Sequence, residues 1–303
     1  MALPETCPLC SAPSPRQEVE ARVVAGGRDE HSYFRCESCD VRYLWPRLTI
    51  EEEWRFYRDE FAVFMQSREG TESLPLTAQA HRERNEGLRV ERMSRLQADL
   101  SSPRSILEVG CASGFMLLPL AQAGHTCMAV EPSGLFRDDL NSLGLQTHAS
   151  LDELAAASDA TFDLIFHYFV LEHVGDPLGF LNQQIGLLNP GGLLEIELPC
   201  GNDALLEVYN LNSFRDFYFQ VGHQWVFTPA SLGHLLEQTG MSFEIGQRQR
   251  YGLANHLTWA EHGRPGGNPL LAGIYGDDLD AAYRQRLVDT GHADTLTAAI
   301  RKA

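Results

Sequence analysis

The chain has 303 residues, 44% of them hydrophobic, and a formal net charge of −17. That length holds one large domain or a core with appendages. No apolar run approaches the roughly 18 residues a membrane span needs, and the acidic balance disfavours nucleic acid, whose binders carry a basic footprint. The five arginines from Arg82 to Arg95 are interleaved with Glu83, Glu86 and Glu91, the pattern of a solvated helix face. The opening MALPETCPLC lacks a basic segment followed by an apolar one, so the expectation is no signal peptide and a cytoplasmic protein.

In chain order, residues 1–48 hold two CxxC pairs, with strand-like VEARVVAG and HSYFRCES between and around them. Residues 49–100 read as a helical linker or lid. TIEEEWRFYRDEFAVF has a Thr49 cap and acids in its first turn, a helix start, and AHRERNEGLRVERMSRLQADL is a charged amphipathic helix. From Ser105 strands and helices alternate: SILEVG, FMLLPLAQAG, TCMAVE, GLFRDDLNSLG, LQTHA, LDELAAA, FDLIFH, PLGFLNQQIGLLN and LLEIELP. Strands separated by helices of about ten residues predict an α/β fold with a parallel, doubly wound sheet. An aromatic-rich excursion at 200–228 precedes helix PASLGHLLEQTG and strand MSFEIGQRQ. A last strand is expected near NHLTWAE. The core is thus placed at 101–262, and 263–303 at a linker and helical tail.

ILEVGCASGFML puts a strand, a glycine turn and a helix in succession, so backbone N–H groups can approach a ligand at a helix N-terminus. A dinucleotide loop would read GxGxxG. Here Glu108 precedes Gly110 and Gly114, and an acid at that place would repel a pyrophosphate but suit a cationic amino group. Glu131, 21 residues after Gly110, ends the next strand, where a carboxylate accepts ribose hydroxyls. A ribose, a positive end and no phosphate describe S-adenosylmethionine (SAM).

EVGCASG, VEPS, FDLIFHYFVLEHVGDP and LLNPGG, in that order, resemble the motifs of class I SAM-dependent methyltransferases over about residues 101–260. The resemblance implies a Rossmann-like seven-stranded sheet with a final antiparallel strand. It implies that Gly110 and Gly114 line the methionine end, that Glu131 and the adjoining Pro132 meet the ribose, and that Glu108 acts near the amino group. It also implies Leu151 over the adenine and His167 at the cofactor's edge.

Cys7, Cys10, Cys36 and Cys39 form C-x2-C, 25 residues, C-x2-C. Four thiolates suit tetrahedral Zn²⁺ and leave no open position for catalysis, so the expected role is structural. A ribbon of about 40 residues cannot bury enough core to fold unaided, and a metal supplies that stability. Cys111, Cys127 and Cys200 lie outside any motif. A ribbon followed by this core resembles bacterial methyltransferases that act on sugars or small molecules.

Methyl transfer to oxygen or carbon needs alignment and a base, commonly His. His223, in FYFQVGHQWVFTP, is the first candidate. In the sugar C-methyltransferases that this chain resembles, a Glu-His pair occupies what looks like this place, whereas Gly222 precedes His223 here. His167 is a second candidate, and Tyr57 could reach a substrate hydroxyl. Glu172 and His173 read as a hydrogen-bonded pair shaping a loop. The expectation is SAM-dependent O-methylation of a sugar or glycan hydroxyl or another small molecule, in carbohydrate or natural-product biosynthesis. The alternatives are C-methylation of a nucleotide-linked keto-deoxysugar, an RNA or protein methyltransferase with the ribbon as reader, and a non-catalytic binding protein.

Overall fold

The computed structural model describes residues 3–56 and 77–303. The N-terminal ribbon is an antiparallel sheet of β1 (Gln17–Ala21), β2 (Ser32–Cys36) and β3 (Arg42–Trp45). Helix Ile50–Arg55 follows, and Thr49 and Glu52 close a reciprocal cap at its start.

The expected charged helix is two helices, Ala78–Arg84 and Glu86–Leu96. They part at Asn85, which leaves helical geometry (ψ 8°) while its side chain donates to the His81 carbonyl at 2.8 Å. An amide side chain that competes for a backbone carbonyl favours such a break.

β4 (Ser105–Val109), β5 (Thr126–Val130), β6 (Gln146–His148), β7 (Phe162–Tyr168) and β8 (Leu188–Pro199) run parallel, with helices as crossovers. β9 (Trp225–Val226) leaves this domain and pairs with β3, so the ribbon sheet has the order β1-β2-β3-β9. β10 (Ser242–Arg248) and β11 (Thr295–Arg301) complete the main sheet in the order β10-β11-β8-β7-β4-β5-β6. β11 is antiparallel to both neighbours.

Two expectations change here. NHLTWAE is helical, within Leu253–His262, because His256 and Trp259 bury one helical face. The tail is helical only over Pro269–Asp289, with a break at Gly276, and then becomes β11.

The sheet is packed on both faces. Leu164, Phe166 and Tyr168 meet Leu96, Leu117, Leu120 and Leu140 on one side. Ile165, Leu194 and Ile196 meet Leu181, Ile185, Leu232 and Leu235 on the other. Burial on both faces makes these strands near-continuous apolar runs. Helix Pro177–Leu187 starts at an Asp176 cap with Pro at its first position, which fixes where the chain turns back onto the sheet. Among the described residues, no helix is long and apolar enough to cross a membrane.

Candidate active site and cysteine centre

The carboxyl ends of β4 and β5 carry the glycine loop and its acids. After Val109 the chain turns through Gly110 (φ +72°), Ala112 (φ 46°) and Gly114 (φ +71°). A side chain is excluded at both glycines: a Cβ on Gly110 would lie 2.6 Å from Val170 Cγ2, and one on Gly114 2.6 Å from Leu140 Cδ2. The left-handed backbone independently selects glycine there.

Glu131 braces this loop. Its Oε2 accepts the Ala112 N–H at 2.7 Å and its Oε1 accepts the Ser133 N–H at 2.8 Å. Burial pushes the carboxyl up, and the two amides oppose that. Each oxygen keeps a second lone pair for a ligand hydroxyl. Pro132 follows at the rim, with its carbonyl accepting from Arg137 at 2.7 Å.

Glu108 is buried below the loop, and among the described residues its Oε2 has no hydrogen-bond partner. Burial pushes its carboxyl well above the ordinary range, and the Arg92 guanidinium partly offsets this. Helix Ala78–Arg84 lies over the loop, with the His81 ring 2.8 Å from Ser113 Oγ and Arg82 donating to the Ser113 carbonyl at 3.1 Å.

Leu151 opens helix Leu151–Ala157, just after β6, and packs in the core with Val130. His167 does not follow the fourth parallel strand but lies within it. It is fully buried, its ring meets Phe180 edge-on at 5.4 Å, and neither ring nitrogen has a hydrogen-bond partner among the described residues. Burial holds it down to about 3, so the ring is neutral. Strand alternation points it away from Phe166 and Tyr168. Tyr57 lies outside the described residues.

Beyond β7 the structure gathers a group that sequence reasoning divided. A 3-10 turn, Leu171–His173, carries Glu172 and His173, and the chain returns 50 residues later with His223. The ligand atoms of the three lie within 4.8 Å of one another. The His173 and His223 rings meet edge-on at 4.9 Å. His173 Nδ1 donates to the Gly222 carbonyl at 2.7 Å, and His223 Nε2 meets the Gln220 side-chain amide at 2.6 Å. Burial pushes Glu172 up to about 8 and His173 down to about 4. Sequence reading treated Glu172 and His173 as loop-shaping; the LEH triplet at a strand end was the available signal. Arg250 was missed altogether. Its guanidinium stacks on Phe169 at 4.1 Å, and its charge opposes the upward shift of Glu172.

Between Arg92, Arg95, Arg248 and Glu197 runs a buried ionic network. Glu197 is fully buried and accepts from Arg92 Nε at 2.8 Å and Arg248 Nη1 at 2.8 Å, as well as from Arg95. Burial raises its carboxyl, but the guanidinium charges outweigh that and hold it low.

The four ribbon cysteines converge, with Sγ–Sγ separations of 3.8 Å for Cys7–Cys39 and 3.6 Å for Cys10–Cys36. Four thiolates about 2.3 Å from a Zn²⁺ form a tetrahedron with edges of about 3.8 Å, so the donor set fits that ion.

A family model described as a methyltransferase domain matches residues 79–244. The ubiquinone biosynthesis O-methyltransferase of Dinoroseobacter shibae is 27% identical over 158 residues, 47% of this chain and 64% of that protein. Its counterpart in Parvibaculum lavamentivorans is 32% identical over 96 residues, 30% of this chain and 38% of that protein. The chain thus spans less than two thirds of either curated relative. In fold it is similar to a SAM-dependent methyltransferase from Archaeoglobus fulgidus, at 17% identity and TM-score 0.50, over 80% of this chain and all of that one. A plantazolicin methyltransferase solved with SAH matches 82% of this chain and 92% of its own at 16% identity and TM-score 0.50. The sheet order, the glycine loop and the family match over more than half the length lead to one conclusion: the chain belongs to the class I SAM-dependent methyltransferases.

Proposed function

We propose that this enzyme transfers the SAM methyl group to a hydroxyl oxygen of a small molecule. The observation that carries it is the meeting of two loops at the carboxyl ends of the parallel strands, where ligands of open α/β sheets bind. Val170, two residues before Glu172, touches the Gly110 turn, so the glycine loop and the Glu172–His173–His223 group share one cleft edge.

On this reading Gly110 and Gly114 admit the methionine end, Glu131 and Pro132 meet the ribose, and Leu151 lies over the adenine. Glu108 receives the amino group, whose positive charge would pair its bare buried oxygen. His167 belongs to the wall behind. Bound SAM supplies an electrophilic methyl on a sulfonium. The chain's own residues align the acceptor and exclude water, and His223 activates the acceptor hydroxyl. Tyr57 is retained as a candidate acceptor contact.

Oxygen is favoured over carbon by the relatives named as O-methyltransferases and by Gly222, which stands where a C-methylation pair would need Glu. A saccharide hydroxyl leads, on the ribbon's resemblance, and a hydroxyl of a ubiquinone-biosynthesis intermediate is the second reading, on those same names. We further propose that Cys7, Cys10, Cys36 and Cys39 hold one structural Zn²⁺ that folds residues 1–48 as a wall of the acceptor site.

The test is methyl-labelled SAM with the enzyme and fractionated cell extract. Label in the sugar-nucleotide or glycan pool is expected. Label in ubiquinone or its precursors selects the second reading. Label in RNA or protein, or none despite cofactor binding, overturns the small-molecule assignment.

A further inference from the structure

Glu172 is 1% exposed, and among the described residues neither of its carboxylate oxygens has a hydrogen-bond partner. A carboxylate taken from water without a donor or a cation is strongly disfavoured. Besides the charge of Arg250, ligand-type nitrogen faces it. His173 Nδ1 donates to the Gly222 carbonyl at 2.7 Å. The neutral ring therefore carries its lone pair on Nε2, and Nε2 lies 3.7 Å from Glu172 Oε1. His223 completes the set, all three ligand atoms lying within 4.8 Å of one another. Ligands about 2.1 Å from a common ion stand about 3–4 Å apart, so small side-chain rotations close the site.

We propose that Glu172, His173 and His223 hold a divalent cation distinct from the one in the cysteine ribbon. Two imidazoles and a carboxylate suit a borderline ion such as Zn²⁺ or Mn²⁺, in contrast to the four soft thiolates of the ribbon. Three protein ligands leave positions open, as catalytic centres do. His173 has an outer partner of the kind that orients a metal ligand, the Gly222 carbonyl. Gln220 presents its amide nitrogen to His223 Nε2 at 2.6 Å, and a flip of that amide would give His223 the same kind of acceptor.

This deepens the methyl-transfer reading and rests on it for the acceptor alone. The cation takes the acceptor hydroxyl as a further ligand and lowers its pKa. The proton passes to solvent water, the oxygen forms its bond to the methyl carbon, and the carbon–sulfur bond breaks with the electron pair left on sulfur. His223 then activates the acceptor as a ligand of the ion.

The experiment uses the full chain with its ribbon zinc in place. Metal content is read by elemental analysis, and Mn²⁺ is titrated while the electron paramagnetic resonance signal of the free ion is followed. The expected result is one bound Mn²⁺ per chain, or a second metal ion already present as purified. Binding weakens about 100-fold or more in Glu172→Gln and in His223→Ala. Glu172→Gln keeps the side-chain shape, and an unchanged far-ultraviolet spectrum certifies its fold should His223→Ala lose structure. One zinc only and no Mn²⁺ uptake overturns the proposal, as does uptake unchanged in Glu172→Gln. SAM titration calorimetry on the same samples keeps the two claims apart. Cofactor binding without Mn²⁺ uptake removes the cation site alone, and Mn²⁺ uptake without cofactor binding removes the methyl-transfer reading alone.

Discussion

Tyr33 of the ribbon donates its hydroxyl hydrogen to the backbone carbonyl of His223, 190 residues further along the chain. The same hydroxyl lies 2.9 Å from the Gln220 carbonyl. Leu44 donates to the Gln224 carbonyl at 3.0 Å, and β9 begins one residue later. The ribbon therefore fixes the backbone on both sides of the residue assigned to acceptor activation. This is a mechanical reason for the cysteine ribbon to accompany a methyltransferase core.

The first prediction concerns that module. Elemental analysis should find about one zinc in the cysteine centre, and Cys36→Ser should lose it. Turnover should fall with it, although no cysteine of the ribbon is a reacting group, because His223 loses its anchor. A metal-free protein that stays folded and active would refute the structural role.

Replacing His223 itself separates binding from chemistry. His223→Ala should keep its SAM affinity and lose at least ~100-fold in turnover, the scale on which proton handling at the acceptor contributes. Unaltered turnover would remove His223 from the mechanism.

Glu131 braces the loop and, on the proposed reading, also meets the ribose. Glu131→Ala frees the Ala112 and Ser133 amides. Hydrogen bonds to a charged group contribute about 1.5–3 kcal/mol each, so SAM affinity should fall by about 100-fold or more. Near-unchanged affinity in calorimetry would sink the ribose assignment.

The Glu197 network should dominate stability at the helix–sheet interface. Glu197→Ala leaves Arg92, which is itself buried, without its carboxylate. Breaking a buried ion pair from one side costs about 3–5 kcal/mol. Denaturant unfolding should show that loss; a change below about 1 kcal/mol would mean that water compensates the arginines.

Asp203 sets a pH dependence. It is buried at the start of helix Ala204–Glu207, and burial, with Asp294 nearby, pushes its carboxyl from 3.8 up to about 8. The fold holds a proton that the unfolded chain releases near pH ~4. Its contribution is full below that point and declines as the pH rises through about 8. Between pH 5 and 9 the thermal midpoint of Asp203→Asn should fall less than that of the wild type. Parallel curves would contradict the buried acid.

The parts legible in the sequence were those fixed by local geometry. Gly110, Gly114 and Glu131 announce themselves because a tight turn, a helix start and a strand end lie within 22 residues. The cysteine pairs do so through their spacing. Thr295–Arg301 did not read as a strand because its two alanines carry little strand preference, and the alternation of Leu296, Ala298 and Ile300 inward is blurred in the sequence by Ala299 between them. NHLTWAE misled in the other direction, since seven residues fit either period. The Glu172–His173–His223 group was illegible as a unit. Its members come from two loops, and β9 pairing with the ribbon brings the second loop back, a long-range event with no local signature.

β11 lodges between β10 and β8, two strands that precede it in the chain. During synthesis the nascent chain therefore exposes two bare edges with unpaired N–H and C=O groups until the last strand has left the ribosome. Such edges are templates for aggregation. Closure of this sheet waits for β11, and a nascent chain that still lacks it, rather than the finished enzyme, is the species that chaperones should meet.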